Sequence, residues 1–118
     1  MADAAIFIGW GATIEGREAK ALGVFGEAIA YYGSLQQQGT IESFEPVILT
    51  PHGGDLAGFI LLRGEAAKLA TLKQTEEFQR QQVRAQLIVH NLGVIDAAIA
   101  GSLATGMATF QQQIQQLT

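Results

Sequence analysis

No cysteine occurs in the 118 residues, which removes disulfide scaffolds, thiolate metal sites and cysteine nucleophiles from consideration. Charge is scarce as well. Charged residues make up 15% of the chain against 48% hydrophobic, a balance that argues against disorder and implies that a partner subunit covers some apolar surface. The seven Lys and Arg are scattered from Arg17 to Arg84 without a basic run, and the formal net charge is -4, so nucleic acid and anionic membranes are disfavoured as partners. No apolar stretch approaches the ~20 residues of a membrane span, and the N-terminal MADAAIFIGW lacks the basic start of a signal peptide. The expected location is the cytoplasm. A chain of this length fits one domain, able to bury roughly two-thirds of its unfolded surface, and residues 1–118 are read as that one domain.

What is present reads as strands and helices in a definite order. Residues 40–64, TIESFEPVILTPHGGDLAGFILLRG, predict a hairpin: β-branched and aromatic residues cluster over 41–50 and 57–63, and Pro51, Gly53, Gly54 and Asp55 supply the turn. The second arm is apolar at nearly every position, the pattern of a strand buried on both faces. Pro46 donates no ladder hydrogen bond, which puts the first arm at an edge or a bulge. Upstream, 4–11 is a short apolar strand with Ile6, Ile8 and Trp10 on one side. Over 17–38, Leu22, Phe25, Ile29 and Tyr32 recur at helical spacing, and Gly39 stands where a left-handed C-cap belongs. Gly23, Gly26 and Gly33 within this helix each cost about 1 kcal/mol relative to Ala, so close packing is expected at them.

Downstream, 65–73 reads as a helix, Thr75 caps a second helical piece, TEEFQRQQVRA, and 86–98 alternates as a fourth strand bent at Gly93. Ser102 then caps a last helix with Leu103, Met107, Phe110, Ile114 and Leu117 on a stripe to be packed on the domain, or against a partner helix, opposite a glutamine-rich face. The order β-α-β-β-α-β plus a C-terminal helix is the α+β ferredoxin-like plan, with an antiparallel sheet covered by helices on one face.

With GWG, GREAKAL, the 40–64 segment and LIVHNLGV in this order, the chain resembles the dimeric α+β barrel superfamily, in particular bacterial YCII-related and antibiotic-biosynthesis-monooxygenase-like proteins. The resemblance implies a homodimer whose sheets meet as a barrel, with a small-molecule pocket between sheet and helices. It does not select a chemistry, since that superfamily spans cofactor-free oxidation, haem degradation, isomerisation and plain binding. Trp10, His90 and Asn91 do not match the order and spacing used by its haem-degrading members. No cofactor is expected.

Five residues are candidates for a site. His90, in an otherwise apolar strand, is either a catalytic base titrating near neutral pH or a hydrogen-bonded core histidine. His52, in PHGG, either meets a ligand or builds the turn. Arg84, read as standing near the start of the fourth strand, is placed to bind a ligand carboxylate unless it is a solvated surface side chain. Trp10 is a pocket wall or a core aromatic, and Tyr32 orients a polar ligand or tethers its helix to the sheet. No HxH or HExxH spacing supports a metal site, and the glycines at 9, 11 and 16 fit neither phosphate-loop template. The sequence therefore supports a small-molecule-binding protein whose chemistry, if any, is a cofactor-free oxidation or isomerisation. The rival is a non-catalytic dimeric module.

Overall fold

Strand β1 (Ala4–Trp10) lies inside a four-stranded sheet, and the computed structural model, which describes residues 2–118, orders that sheet β2-β3-β1-β4. The other strands are β2 (Ser43–Ile48), β3 (Gly58–Gly64) and β4 (Gly93–Ala98), and every pairing is antiparallel. Period-two alternation sends Ile6 and Ile8 to one face, and the β1–β3 register sets Leu62 opposite Ile6 and Ile60 opposite Ile8. All four are buried, and with Tyr32, Leu35, Ile41, Leu69, Leu72 and Phe78 they form the core. Each such side chain contributes about 1.5–3 kcal/mol by leaving water.

The helices cover that face alone. Helix α1 (Glu18–Gln37) buries Val24, Tyr32 and Leu35, begins just after Gly16 and stops ahead of Gly39, whose φ of 80° is the left-handed conformation that a C-terminal glycine supplies. The backbone N–H groups of Thr40 and Ile41 both donate to the Leu35 carbonyl, so Ile41 closes the helix and plugs the core. The first hairpin arm is therefore shorter than 41–50. Pro46 sits in an edge strand, in regular register opposite Ile60. Helix α2 (Ala66–Lys73) is joined to α3 (Glu76–Gln86) by Thr75, whose hydroxyl donates to the Leu72 carbonyl and accepts from Phe78 N–H.

Two expectations are corrected at the C-terminal end. A strand over 86–98 is replaced by the end of α3, a turn and β4 beginning at Gly93. The N–H groups of Leu87 and Ile88 donate to Val83 and Ala85, and Asn91, at φ 57°, turns the chain. The apolar alternation there arises because Ile88 and Leu92 drop towards the sheet. Helix α4 (Ala100–Leu117) starts after Ile99 rather than Ser102. The Ser102 hydroxyl instead accepts from Ile99 N–H at 3.0 Å from inside the first turn. None of its residues is buried, so its stripe does not pack on its own domain.

The far face of the sheet is uncovered. Phe7 and Phe59 stack there with centroids 4.9 Å apart, Ile95 stands opposite Phe7 on β4, and an Arg63–Glu45 ion pair of 3.0 Å bridges β3 and β2. β3 accordingly alternates buried and half-buried rather than being buried on both faces. Within one chain the sheet is open, not closed into a barrel. Among the described residues no helix is long and apolar enough to cross a membrane.

Candidate functional site

Between the helix-covered face of the sheet and the pair α1 and α3 lies a cavity of about 510 Å³, within the ~300–1,000 Å³ range of small-molecule sites. Ile8, Trp10 and Ile60 form its floor. Phe25 and Ala28 come from α1, Ala85 from α3, and Ile88 and Leu92 from the segment before β4, with Leu22 and Ile48 exposed at the rim. A larger groove of about 720 Å³ between α1 and α2 is more open to solvent and has more polar walls, including Ser34, Gln38, Lys68 and Glu77.

Local sequence explains the shape of the apolar cavity. Trp10 is paired with Gly58 across β1 and β3, and a Cβ at Gly58 would stand 2.8 Å from the indole and 2.7 Å from the Val47 carbonyl oxygen. Glycine there lets the indole lie across the neighbouring strand. Phe25 then meets Trp10 edge to face, with centroids 5.9 Å apart. The mouth is fastened by backbone: Gly11 N–H donates to His90 O at 2.7 Å, His90 N–H to Ala12 O at 2.8 Å, and Ile14 N–H to Ile88 O at 2.9 Å.

Polar groups are few: Tyr32, Gln81 and Gln82 lie together where α1 meets α3, and Thr13 and Glu18 line the cavity near the start of α1. The Tyr32 hydroxyl accepts from Gln82 Nε2 at 2.9 Å, and burial pushes the phenol up to about 12, so it stays protonated near neutral pH. Gln81 is 8% exposed, its Nε2 donates to Glu77 Oε2 at 3.0 Å, and its Oε1 is buried with no hydrogen-bond partner among the described residues. An orphaned buried acceptor costs about 1–3 kcal/mol. The hydrogen bonds from Gln81 and then Arg80 hold the Glu77 carboxyl below its ordinary value. Glu18 and Tyr32 are the titratable side chains lining this cavity.

The five residues singled out by sequence are not brought together. Trp10 and Tyr32 line the cavity. His90 stands in the turn before β4, not in a strand, with its side chain 48% exposed and Nε2 3.9 Å from Glu15 Oε1. Arg84 belongs to α3 rather than to the start of a strand and is ion-paired to Glu27 at 2.8 Å, tying α3 to α1. Both ring nitrogens of His52 are used within its own turn: Nε2 donates to Leu56 O at 2.7 Å, and Nδ1 accepts from Gly54 N–H at 3.2 Å. Gln81 and Gln82 were not singled out from sequence, where TEEFQRQQVRA is read only as a helix capped by Thr75. The available signal was their three- and four-residue offset from Phe78, which puts them on its buried face. Among the described residues no three His, Asp or Glu side chains gather to hold a metal ion.

No family model matches the chain, and no curated protein does. Solved structures do. A dimeric protein of unknown function and ferredoxin-like fold from Bacteroides fragilis superposes with a TM-score of 0.58 at 10% identity, over 81% of this chain and 96% of that one. SnoaB, a cofactor-independent oxygenase from Streptomyces nogalater, superposes with a TM-score of 0.51 at 13% identity, over 85% of this chain and 98% of that one. At such identities the likeness is one of architecture, and the chain has the ferredoxin-like α+β fold.

Proposed function

We propose that this protein binds a small, largely apolar organic molecule in the cavity between the sheet and helices α1 and α3. The observation that carries this reading is the cavity itself: aromatic and aliphatic walls, with Tyr32, Gln81 and Gln82 as polar groups along one side. Trp10 supplies the flat wall, and the Tyr32 hydroxyl, held protonated by burial, is a hydrogen-bond donor suited to a carbonyl or hydroxyl of the ligand. The placements of His90, Arg84 and His52 favour binding over acid–base turnover as the primary role. A cofactor-free oxidation or isomerisation remains the second reading, favoured by the architecture shared with SnoaB; in it His90, which faces Glu15 outside the cavity lining, would have to turn inward to take a proton from the bound substrate. A homodimer joined through the open sheet faces completes the proposal, in keeping with the dimeric Bacteroides neighbour and the apolar Phe7, Phe59 and Ile95.

Native mass spectrometry of the purified protein, followed by denaturing release, tests for a carried ligand, and calorimetric titration with 2-naphthol tests uptake. Ala28→Trp fills the cavity from α1 and is expected to weaken naphthol binding at least about tenfold with the helical circular dichroism kept. Equal binding by this variant, or a wild-type chain that neither carries nor takes up an apolar molecule, overturns the reading.

A further inference from the structure

Helix α4 is the least satisfied element of the molecule. Leu103, Met107, Phe110, Ile114 and Leu117 step by four, three, four and three residues along one stripe, and all five are exposed. The chain's radius of gyration is 16.2 Å and its longest extent 53 Å, against about 13–14 Å for the radius of a compact domain of this length. An isolated 18-residue helix with this composition is marginal in water, and a stripe of five large apolar side chains needs cover. No Lys or Arg follows Arg84, so the helix lacks the cations that an amphipathic segment brings to an anionic membrane.

A complementary surface exists on the same sequence. Helix α1 exposes Ala19, Gly23, Gly26 and Ala30, and the half-buried Gly33 continues the same stripe, again at steps of four, three, four and three. A Cβ added at Gly23, Gly26 or Gly33 would meet nothing within 4 Å, so the close packing that would justify three helix-breaking glycines is absent inside the chain. One helix carries unpartnered ridges, and the other an unpartnered smooth face with the same periodicity and comparable length, 18 and 20 residues. Neither surface carries a charge on its stripe, so the net charge of -4 does not oppose their meeting.

We infer that α4 is an exchanged arm, whose stripe of large side chains packs along the small-residue face of α1 in a second copy of this chain. The knobs of α4 seat where the missing side chains of α1 let the helix axes approach. Exchange between two copies makes the contact twice, related by a two-fold axis. The inference stands apart from the cavity and from whether the open sheet faces meet.

Sedimentation velocity on the full-length protein, with circular dichroism to verify folding, provides the test. Phe110→Glu puts a charge at the centre of the arm. Gly26→Leu fills open space on α1 and favours the isolated helix. Each is expected to weaken assembly at least about tenfold, the second while raising the thermal stability of the dissociated chain. A monomeric wild type, or assembly unchanged in both variants, overturns the inference. Loss with Phe110→Glu alone also overturns it, by placing the arm elsewhere on its partner.

Discussion

Tyr32 concentrates the chemistry that burial imposes on a single residue. Its hydroxyl is held by Gln82, its ring lies in the core, and burial raises its pKa from 10.0 to about 12. The unfolded chain releases this proton near pH 10 and the native chain near pH 12, so the native state holds more protons across that window. Stability is therefore intact below pH 10 and falls as pH rises, by about 2–3 kcal/mol at the upper end. In Tyr32→Phe this decline is expected to shrink in urea midpoints measured between pH 9 and 12, the remainder coming from Tyr31, whose pKa burial also raises, while neutral stability drops by about 1 kcal/mol because Gln82 loses its acceptor. An identical alkaline slope in the variant would refute the assignment. Glu77 acts in the opposite sense: its lowered pKa makes its contribution present above the ordinary carboxylate range and lost in acid, as the hydrogen bond from Gln81 is given up. Core leucines set the scale for comparison. Leu62→Ala, at a fully buried site, is expected to cost about 2–5 kcal/mol in denaturant unfolding, whereas Leu22→Ala, 78% exposed, stays within about 0.5 kcal/mol. Residue type left Trp10 open between pocket wall and core aromatic, and Tyr32 between ligand contact and a tether to the sheet; both side chains line the cavity, and the Tyr32 hydroxyl is held by Gln82 of α3. His90 and Arg84 were misplaced because their neighbours alternate like a strand, and which way the chain turns at Asn91 is a backbone property that the alternation does not encode.

At the scale of elements, the joint between α2 and α3 depends on one hydroxyl. Thr75 satisfies the start of α3 and the end of α2 at once, through Phe78 N–H and the Leu72 carbonyl. Thr75→Ala is expected to lower stability by about 1 kcal/mol, and hydrogen exchange should locate the loss in α3; an unchanged exchange rate at Phe78 would show that the cap contributes nothing. Because α3 carries Gln81, Gln82 and Ala85 into the cavity wall, the same variant is expected to loosen ligand binding as well. The cap, the hairpin and the Gly39 terminus of α1 could be read from local chemistry, since Thr, Pro-His-Gly-Gly and Gly act on the backbone within a few residues. The fourth strand could not: Ile88, Val89 and Leu92 are apolar because they face the cavity, and a helix end and a strand satisfy that demand equally.

At the scale of the molecule, one face of the sheet supports a core and the other supports nothing within the chain. In the proposed sheet-facing homodimer Phe59 and Ile95 lie at the contact, and Ile95→Asp is expected to raise the dissociation constant at least about tenfold in dilution experiments, without lowering the helical content. Dimers as stable as the wild type would remove the sheet face from the interface. By itself the sequence determined the order of the elements, the shared face of Ile6 and Ile8, and the surplus of apolar residues that one chain cannot bury. These follow from periodicity and composition, which are local or additive. Tertiary structure alone decided that Trp10 and Tyr32 meet Gln81 and Gln82 around a cavity, that His52 and Arg84 are occupied elsewhere, and that α4 leaves its own domain. Each of those depends on which distant segments are brought together, and no spacing along the chain records that distance.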